Sequence, residues 1–507
     1  MLNLLYPISY ILSLVGLILW FYFQENRSIS RKMSTLFLLS FLVYLVSLVF
    51  TEATLSYKLL IMFRDLAILG IVSQLFNYLR HNAIVVLVLG IAVYGFIQFA
   101  GFNMLYATFP EAKKSNTPAD DQFELLVETT DGTIPASYKR LIDKYGLTIE
   151  PAFTPSDPAL SRLDEFLVVG IPDQSEKKIM EIIRELKRVQ ATDYVEYNEV
   201  IQVEIQVNNN DVEFTKASQV NDPMVSKQWG WGAIQGDQLH QLLGSGITPK
   251  KKVTIAIIDS GVDAKHEDLA AQFTSAGPTN DTDPLGHGTH CAGIAAAISN
   301  NGIGIASLVP NNSFVIVTSI KVMNAQGIGN QQATIQGMIK AADMGADVIS
   351  MSLGSISSDT RQKAYEEAVK YANAKGAIVI AAAGNSNQQA KGYSPANAAG
   401  IIAVSAIGPD QRKAPFSNKV NGIGYGIAAP GMKIMSTYPN NQYKEMDGTS
   451  MATPMVAGLV GLMKSINPDI TTKEVFQILS DTGKKLTDGA DTGRMIQAKD
   501  AMERLVD

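Results

Sequence analysis

Residues 253–263, Val-Thr-Ile-Ala-Ile-Ile-Asp-Ser-Gly-Val-Asp, decide the fold of the C-terminal half of the chain. The apolar run at 253–258 is expected of a strand buried on both faces of a parallel sheet. Further strand-like runs alternate with helical segments after it. This repeated βα pattern predicts an α/β fold, with a doubly wound, mostly parallel sheet and helices on both faces. The predicted strands are 314–321, 347–351, 377–382 and 401–406, and the predicted helices are 332–344 and 361–373.

Length and composition indicate more than one domain. The chain has 507 residues, longer than one ordinary domain. Residues 1–110 are strongly apolar, whereas the remainder reads as a soluble globular protein. A net charge of −6 without a long basic run argues against a nucleic-acid partner. Cys291 is the only cysteine, so no intramolecular disulfide can form.

The N-terminal region, 1–110, is predicted to be a membrane region of about four helices. The third run contains Arg64 and Asp65, which lie at an interface or pair within the bundle. The basic loops at 24–34 and near Arg80 should be cytoplasmic by the positive-inside rule. The rest of the chain then faces outward, into the periplasm or the extracellular space; with three spans it would be cytoplasmic. The candidate spans are 4–23, 35–50, 59–79 and 83–106.

A small α+β domain is expected at 122–206, between polar linkers at 111–121 and 207–221. Its pattern is β-α-β-α-β, and nothing in it carries chemistry. The predicted strands are 123–128, 165–169 and 194–203, and the predicted helices are 135–145 and 175–189.

Two polar clusters follow predicted strands in the C-terminal region, 222–507. Asp259 ends the 253–258 run, where sites lie in open α/β sheets, although an aspartate there can also cap a turn. Residues 286–293 read Gly-His-Gly-Thr-His-Cys-Ala-Gly. The glycines beside His287 leave its ring room for a substrate. His287 and His290 could also share a metal, but no acidic zinc-ligand pattern lies nearby.

Residues 447–454, Asp-Gly-Thr-Ser-Met-Ala-Thr-Pro, precede a helix-like apolar run. Pro454 fits a first helical turn. Ser450 would then lie at a helix N-terminus, which favours developing negative charge. Taken alone, Ser450 is either a nucleophile or a capping serine.

The order Asp259, His287, Ser450 is the order of the subtilisin triad. The chain resembles the subtilisin family of serine proteases over about 222–505, and its His-Cys-Ala-Gly is closest to the proteinase K-like branch. The blocks that carry the resemblance are Asp-Ser-Gly-Val-Asp (259–263), His-Gly-Thr-His-Cys-Ala-Gly (287–293), Ser-Leu-Gly (352–354), Ala-Ala-Gly-Asn (382–385) and Gly-Thr-Ser-Met-Ala-Thr-Pro (448–454).

This resemblance implies a role for each matching residue. Ser450 corresponds to the nucleophile and His287 to the base that takes its proton. Asp259 would orient the imidazole, and the side chain of Asn385 would join the backbone N–H of Ser450 in the oxyanion hole. His290 is assigned to structure. Cys291 is expected to be a small buried residue, although it could sense thiol reagents.

The resemblance also implies a peptide-binding cleft and a structural calcium ion. Two segments would hold a polypeptide substrate between them as an added strand. A roomy, uncharged pocket would prefer large apolar side chains. An all-oxygen shell suits Ca²⁺, although an ordinary Asn-Gly turn is the alternative. The cleft segments are Ser352-Leu353-Gly354 and Gly327-Ile328-Gly329, the pocket residues are Ala382, Ala383, Gly384 and Gly392, and the calcium ligands are Asp222, Asp268, Asn301, Ile303 and Ile305.

The domain at 122–206 resembles the family's inhibitor-like propeptide. Such a domain would dock in cis on the protease and send residues 195–203 into the cleft, with a cleavage point within 205–221. The preferred hypothesis is a membrane-anchored serine endopeptidase regulated by this domain. The alternative is a membrane sensor or scaffold whose protease-like domain only binds peptides.

Overall fold

A computed structural model describes residues 2–49, 62, 69, 123–172, 175–203, 206–208, 218–357 and 362–507. The chain forms two compact units, Met1–Asp120 and Asp121–Asp507.

Two helices, α1 (Leu2–Tyr22) and α2 (Arg27–Val49), make up most of the described part of the first unit. They pack on each other, with a hydrogen bond of 3.1 Å between the hydroxyls of Ser13 and Ser40. The first two predicted spans, 4–23 and 35–50, overlap these helices except for the last residue of each, but α2 begins eight residues before the expected start at 35. Within the described residues, one segment, Arg27–Ser47, is long and apolar enough to cross a membrane. Of the third predicted span only residues 62 and 69 are described, and the fourth falls outside the described residues.

The second unit begins with a four-stranded antiparallel sheet. The strand order is β2-β3-β1-β4. One face packs on the two helices through Leu125, Val127 and the apolar side of α4. The opposite face, with Leu126 and Phe166, packs on the C-terminal region. The elements are β1 (Phe123–Thr129), α3 (Lys139–Tyr145), β2 (Thr148–Pro151), β3 (Phe166–Ile171), α4 (Glu176–Leu186) and β4 (Thr192–Tyr197).

Two details of this domain differ from the expected pattern. The four-residue edge strand β2 is additional, because its Thr-Ile-Glu-Pro sequence lacks an alternating apolar pattern. The last predicted strand, 194–203, divides after β4. Its second part, β5 (Val200–Gln202), pairs instead with β9 (Ile328–Asn330) of the C-terminal region. A further short strand, β6 (Gln206–Asn208), pairs with β17 (Gln442–Asp447).

The C-terminal region contains a six-stranded sheet of order β15-β14-β12-β10-β7-β8, and every neighbouring pair is parallel. The α/β fold expected from the βα pattern is present. The chain passes from β7 to β8 and then back to β10, on the other side of β7. The end of β7 is therefore a topological switch point, where open α/β sheets hold their sites. The strands are β7 (Val253–Asp259), β8 (Val315–Lys321), β10 (Val348–Met351), β12 (Ile378–Ala382), β14 (Ile402–Ile407) and β15 (Tyr425–Pro430).

Helices cover both faces of this sheet. On one face, α8 (Gln331–Asp343) and α9 (Lys363–Ala374) pack on residues such as Ile258. On the other, α7 (His287–Ala296) and α10 (Thr449–Ile466) pack on residues such as Ile257. The remaining helices and strands lie around this core: α5 (Trp229–Ala233), α6 (Gly236–Gly244), α11 (Thr472–Thr482), α12 (Gly489–Thr492), α13 (Ala498–Val506), β11 (Ser355–Ile356), β13 (Tyr393–Ser394) and β16 (Ile434–Tyr438).

Helix α10 is almost entirely buried and touches most of the sheet. Glycines allow this close packing. A Cβ at Gly458 would lie 2.6 Å from the carbonyl oxygen of Ala295 in α7, and one at Gly461 would lie 3.0 Å from Ile255 in β7. A side chain at Gly458 would collide with the backbone of α7, so glycine at this position allows α10, the helix that bears Ser450, to pack closely on α7.

Candidate active site

Asp259 and His287 lie together at the switch point. His287 Nδ1 is 2.8 Å from Oδ1 of Asp259 and 2.9 Å from Oδ2, and both side chains are fully buried. The strand end supplies the carboxylate, and the first residue of α7 supplies the imidazole. Burial opposes protonation of His287, but the Asp259 carboxylate overcomes this effect and raises the pKa of His287 well above its usual value.

The glycines on each side of His287 act through close packing. Gly286 has a φ of 88°, and a Cβ there would meet the ring of Tyr438 at 2.2 Å. A Cβ at Gly288 would lie 2.1 Å from the carbonyl oxygen of Gly261. These glycines let α7 approach β7 and the hairpin that carries Tyr438, and the expectation that they leave room for a substrate stays a prediction.

Sequence reasoning missed Asp283, which fixes the start of α7. Its Oδ2 accepts hydrogen bonds from the backbone N and the hydroxyl of Thr289, both 2.8 Å long. Its Oδ1 accepts from Gly286 N at 2.8 Å and from the hydroxyl of Ser260 at 2.9 Å. Asp283 thereby joins the end of β7 to the helix that bears His287. The sequence feature that could have identified Asp283 was its position as an acidic residue just before the His-Gly-Thr-His block.

Ser450 is the second residue of α10, and Gly448 caps the helix. Pro454 lies in the second helical turn, so its placement in a first turn was wrong. Because proline has no N–H, it leaves the carbonyl of Ser450 outside the helical hydrogen-bond ladder. That carbonyl instead accepts from the hydroxyl of Ser352 at 2.8 Å and from the thiol of Cys291 at 3.5 Å. Pro454 therefore creates a link between the start of α10 and its neighbours.

The Ser450 hydroxyl donates to the carbonyl oxygen of Ser352 at 3.1 Å rather than to His287. His287 Nε2 has no hydrogen-bond partner within the described part of the chain, and it is buried. Catalytic hydrogen bonds in ligand-free proteins are often long or misaligned, so this orientation of the Ser450 hydroxyl is compatible with His287 as its base.

Asn385 follows β12 and lies beside the start of α10. Its Oδ1 accepts hydrogen bonds from the backbone N of Thr449 at 2.9 Å and from the Thr449 hydroxyl at 2.8 Å. The amide nitrogen is thereby turned toward Gly448, where a Cβ would lie 3.6 Å from Nδ2. Asn385 can donate a hydrogen bond next to Ser450.

The two segments expected to bind a peptide strand face each other, and the chain itself lies between them. On one side β5 pairs with Ile328–Asn330, and Val203 N donates to the carbonyl of Gly327 at 3.0 Å. On the other, Gln202 and Gly354 exchange backbone hydrogen bonds of 3.4 and 3.3 Å. These edges therefore accept an extended strand in the manner of β-sheet addition.

The expected pocket residues lie at the end of β12 and after it. A Cβ at Gly384 would come within 3.0 Å of the Tyr393 ring, so Tyr393, which sequence reasoning missed, narrows this region. Gly392 is half-buried, a Cβ there would meet no atom within 4 Å, and its carbonyl accepts from Ser357 N at 2.9 Å. Ala382 and Ala383 are buried beside Gly384.

The residues expected to bind calcium form one connected loop cluster. Asp222 accepts from the backbone N of Asn300 and of Asn301, at 2.7 and 3.1 Å. Asp268 accepts from Asn301 Nδ2 at 2.8 Å and from Ile305 N at 2.9 Å. Ile303 N donates to Asn301 Oδ1 at 2.7 Å.

The electrostatics of this cluster fit a cation. Both carboxylates are buried, and burial raises the pKa of Asp268 to about 6 and also raises that of Asp222. Neither forms an ion pair with a lysine or arginine in the described ranges. The two buried carboxylates are oxygen donors of the kind that Ca²⁺ prefers. Asn301, however, turns its Nδ2 toward Asp268, and its Oδ1 accepts from Ile303 N.

His290 and Cys291 are structural neighbours of the Asp259–His287 pair. Nε2 of His290 bonds the carbonyl of Lys444 at 2.9 Å, and burial lowers the pKa of His290 to about 3, so this ring is neutral. Ligand atoms of Asp259, His287 and Cys291 lie within 4.8 Å of one another, a spacing that a metal could use. Burial raises the pKa of the Cys291 thiol, however, which favours the protonated form over a thiolate ligand.

Comparisons with known proteins identify the family of the C-terminal region. Residues 250–495 match the model of the subtilase family. Thermitase of Thermoactinomyces vulgaris is 42% identical over 252 residues, which are 48% of this chain and 85% of thermitase. Subtilisin DY of Bacillus licheniformis is 41% identical over 244 residues, 46% of this chain and 85% of that protein.

A solved protease structure from Pseudoalteromonas arctica is also similar. Its TM-score is 0.50 at 27% identity, and the match covers 57% of this chain and 100% of that chain. The matches span 85% of thermitase and 85% of subtilisin DY, and the C-terminal region contains the expected parallel sheet. The chain therefore belongs to the subtilase family and is a serine endopeptidase.

Proposed function

We propose that Ser450, His287 and Asp259 form the catalytic triad of a membrane-anchored endopeptidase. The observation that carries this proposal is the buried contact of His287 with both oxygens of Asp259, at the switch point and next to the N-terminus of α10. In this mechanism His287 Nε2 takes the proton of Ser450 Oγ as the hydroxyl attacks the scissile carbonyl, and later returns it to the leaving amine. Asp259 keeps the proton on Nδ1 and stabilises the imidazolium.

The developing oxyanion would be bound by Asn385 Nδ2 and the backbone N of Ser450. Thr449 supports this assignment, since it holds the opposite end of the Asn385 amide. The α10 N-terminus adds a favourable dipole. Donors fixed before the reaction stabilise the transition state without reorganisation. The substrate would lie between residues 327–329 and 352–354, and Ala382, Ala383, Gly384, Gly392 and Tyr393 would surround the side chain before the scissile bond.

The domain at 122–206 would act as a propeptide-like inhibitor in cis. Two charged contacts support its docking on α9. Glu196 accepts hydrogen bonds from the backbone N of Lys363 at 2.9 Å and of Ala364 at 3.2 Å, at the start of that helix. Buried Glu128 pairs with the ammonium group of Lys363 and, at 3.0 Å, with Arg162. The domain thus places a carboxylate on a helix N-terminus while β5 fills the cleft.

A bound Ca²⁺ would be held by the Asp222 and Asp268 carboxylates, the Asn301 side chain and carbonyl oxygens such as those of Ile303 and Ile305. It would neutralise the two buried carboxylates and join the segment at 222 to the loop at 300–305. In a chain without disulfides, this would be a structural clip.

The apolar N-terminal region would anchor the protein as a multi-pass membrane protein, with the protease outside the cytoplasm. The apolar helix at Arg27–Ser47 and the basic residues at 27–32 support this orientation.

A fluorophosphonate probe tests the catalytic assignment directly. Wild-type protein should be labelled, and Ser450→Ala should not. Ser465→Ala, in the same helix but bonded to Leu462 O, is the matched control and should label like the wild type. Equal labelling of Ser450→Ala, or no labelling of the wild type, would refute the assignment.

A further inference from the structure

The domain at 122–206 carries opposite charges on its two sides. Helices α3 and α4 cover the side of the sheet that faces away from the C-terminal region. Residues 139–145 and 176–188, which contain these helices, include eight lysines and arginines but only four acidic residues. This side of the domain is therefore basic, in a chain whose net charge is −6.

The side that meets the protease uses acidic groups instead. Glu196 accepts a hydrogen bond from the backbone N of Lys363 at 2.9 Å, and Glu128 pairs with the ammonium group of the same lysine. Glu199 accepts from the hydroxyl of Ser394 at 2.7 Å. These contacts leave the basic groups of α3 and α4 on the outer side of the domain.

Five cationic side chains on the helical side are exposed and have no acidic partner within the described part of the chain. By contrast, Glu181 lies 3.3 Å from Lys144 Nζ and 3.5 Å from Lys178 Nζ. Glu185 lies 3.0 Å from Arg188. Half of the acidic groups on this side are thus neutralised within the domain. The five cations without an acidic partner form what we call the basic face: Lys139, Arg140, Lys177, Arg184 and Lys187.

The basic face surrounds an exposed apolar side chain. One side of α4 and of the turn after it presents, at spacings of three and four residues, Lys177, Met180, Arg184 and Lys187. Met180 is 46% exposed, and its backbone carbonyl accepts from Arg184 Nε at 3.1 Å. A row of cations around an exposed methionine suits a surface that offers both phosphate groups and acyl chains.

An open depression runs along α3. Three of its six lining residues, Lys139, Arg140 and Lys144, are basic, and one, Asp143, is acidic. An arginine binds phosphate oxygens through two parallel hydrogen bonds, and a lysine adds a mobile positive charge. The depression therefore provides a second place on the helical side where a phosphate group can be held.

We propose that the basic face docks on the anionic headgroups of the bilayer in which the chain is anchored. This inference rests on the proposed membrane anchoring, but not on the proposed catalytic triad. Clusters of about four to eight lysines and arginines beside a membrane are typical of segments that bind anionic phospholipids. The basic face falls in this range, and Met180 enters the boundary between headgroups and acyl chains.

The linker before the domain keeps the basic face close to the bilayer. The last predicted span ends at 106, and β1 begins at Phe123, so the linker consists of residues 107–122. A flexible chain of about sixteen residues has a root-mean-square extension of about 20–25 Å. Docking is then an intramolecular step with a high effective concentration, so contacts that are individually weak are sufficient.

Docking places the domain between the bilayer and the protease, because the basic face and the protease contacts lie on opposite sides of its sheet. The helices rest on the headgroups, and the acidic contacts point away from the membrane. A domain that separates from the protease therefore remains on the bilayer, and the protease must return to the membrane surface to be inhibited again.

The test places a polarity-sensitive fluorophore at position 180 of the full-length protein. Met180→Cys is combined with Ser450→Ala to prevent proteolysis, and Cys291 stays unlabelled because it is buried. The protein is reconstituted in nanodiscs of phosphatidylcholine alone or of an equal mixture with phosphatidylglycerol. Emission should shift to the blue only in the anionic discs. The shift should vanish when the ionic strength rises from about 0.1 to about 1 M, because the screening length falls from about 10 to about 3 Å.

A label on the protease is the matched control. Met344 lies at the end of α8 and is 48% exposed, close to the value of Met180. Met344→Cys, labelled in the same way, should show the same emission in both kinds of disc.

Charge variants identify the surface that docks. Lys177→Gln, Arg184→Gln and Lys187→Gln together should weaken docking about a hundredfold, at roughly fivefold for each charge near an anionic surface, and should abolish the shift. The control removes three exposed lysines of the protease and should leave the shift unchanged; its changes are Lys252→Gln, Lys473→Gln and Lys485→Gln.

The outcomes separate docking from anchoring. A protein that enters both kinds of disc without a shift, or a shift that survives the three changes in the basic face, would overturn the docking and leave the anchoring in place. A protein that enters neither kind of disc would overturn both. A shift that needs two copies in one disc, whatever the lipid, would assign the basic face to a second copy of the chain and also overturn the proposal.

Discussion

Thr449 holds the Asn385 side chain through two hydrogen bonds to a single oxygen, one from its backbone N at 2.9 Å and one from its hydroxyl at 2.8 Å. Because both bonds go to Oδ1, the orientation of the amide is fixed and its N–H groups face the side where Gly448 lies. Thr449, the residue just before the proposed nucleophile, thus orients the amide of Asn385, the proposed oxyanion donor.

This relationship predicts a graded loss of activity. Asn385→Ala should lower kcat about 10²–10³-fold with little change in KM, the loss typical of removing one oxyanion-hole donor. Thr449→Ala should lower kcat about tenfold, because the amide loses one of its two restraints. Thr449→Ser keeps the hydroxyl and is the control. Steady-state kinetics on a chromogenic peptide measure all three, and a serine variant as impaired as the alanine variant would disprove the positioning role.

The Asp259–His287 contact predicts a shift in the pH profile. His287 must be neutral to accept a proton, so activity falls as the pH drops through its pKa. The Asp259 carboxylate raises that pKa, so Asp259→Asn should move the acidic limb of the kcat profile to lower pH. It should also reduce kcat about 10⁴-fold.

The pH–rate profiles of the wild type and Asp259→Asn measure this shift. Asp410→Asn, at an exposed carboxylate, is the matched control and should leave the limb in place. An acidic limb that does not move in Asp259→Asn would contradict the assigned partner of His287.

Docking of the domain at 122–206 should weaken as the pH rises. Burial raises the pKa of Glu196 to about 7, against the lowering effect of the N–H groups of Lys363 and Ala364. A carboxyl group whose docked pKa exceeds its free value stabilises docking fully below the free pKa, near 4.5. That contribution is lost as the pH rises through about 7.

Hydrogen exchange of the β5 amides in the uncut Ser450→Ala protein measures this effect. After correction for intrinsic exchange, protection should be lower at pH 8 than at pH 5, and the added change Glu196→Gln should flatten the dependence. Glu150→Gln, on the exposed strand β2, is the control. If the protection of the β5 amides depends on pH as strongly with Glu196→Gln as without it, another group causes the effect.

Calcium should stabilise the protein through the 222–305 cluster. A ligand at a hundred times its Kd stabilises the folded state by about 2.7 kcal/mol. For a domain of this size the corresponding rise in Tm is about 5 °C. A chelator should therefore lower the Tm of the wild type by about that amount, and Asp268→Asn should show no such response, whereas Asp410→Asn should respond like the wild type. An unchanged wild-type Tm would exclude a structural calcium ion.

The membrane orientation predicts the location of the C-terminus. A phosphatase reporter that is active only outside the cytoplasm, fused after Asp507, should be active, and a reporter active only in the cytoplasm should be silent. Charge reversal of Arg27, Arg31 and Lys32 should reduce the phosphatase signal, because these residues set the orientation. The opposite reporter pattern would favour an odd number of spans.

Elements with a strong pattern were predictable from the sequence. The apolar run at 253–258 became the buried strand β7, and the helix expected at 332–344 is α8, Gln331–Asp343. The periodicity of apolar residues within such a segment is enough to predict whether it forms a strand or a helix. The strands at 425–447 escaped notice because glycine, proline and polar residues interrupt their pattern, and their pairing with distant segments stabilises them.

The residues of the proposed site could be named from the sequence, but the contacts that support them could not. Sequence blocks named Asp259, His287, Asn385 and Ser450. They could not show that Asp283 anchors the start of α7, or that Pro454 frees the Ser450 carbonyl for Ser352. These roles depend on which backbone groups are left without a partner, and that is decided only when the elements pack. The same holds for β5 and β6, whose partners lie more than a hundred residues away.

The burial of α10 also bears on protein synthesis. Asp259 and Ser450 are separated by roughly 190 residues, so at translation rates of 5–20 residues per second the ribosome delivers them about 10–40 s apart. During that interval the nascent chain lacks the proposed nucleophile, and the sheet lacks a helix that packs on one of its faces. A polypeptide stalled before residue 450 therefore cannot hydrolyse its neighbours. Placing the serine on the last large core helix makes completion of the fold a condition for proteolysis.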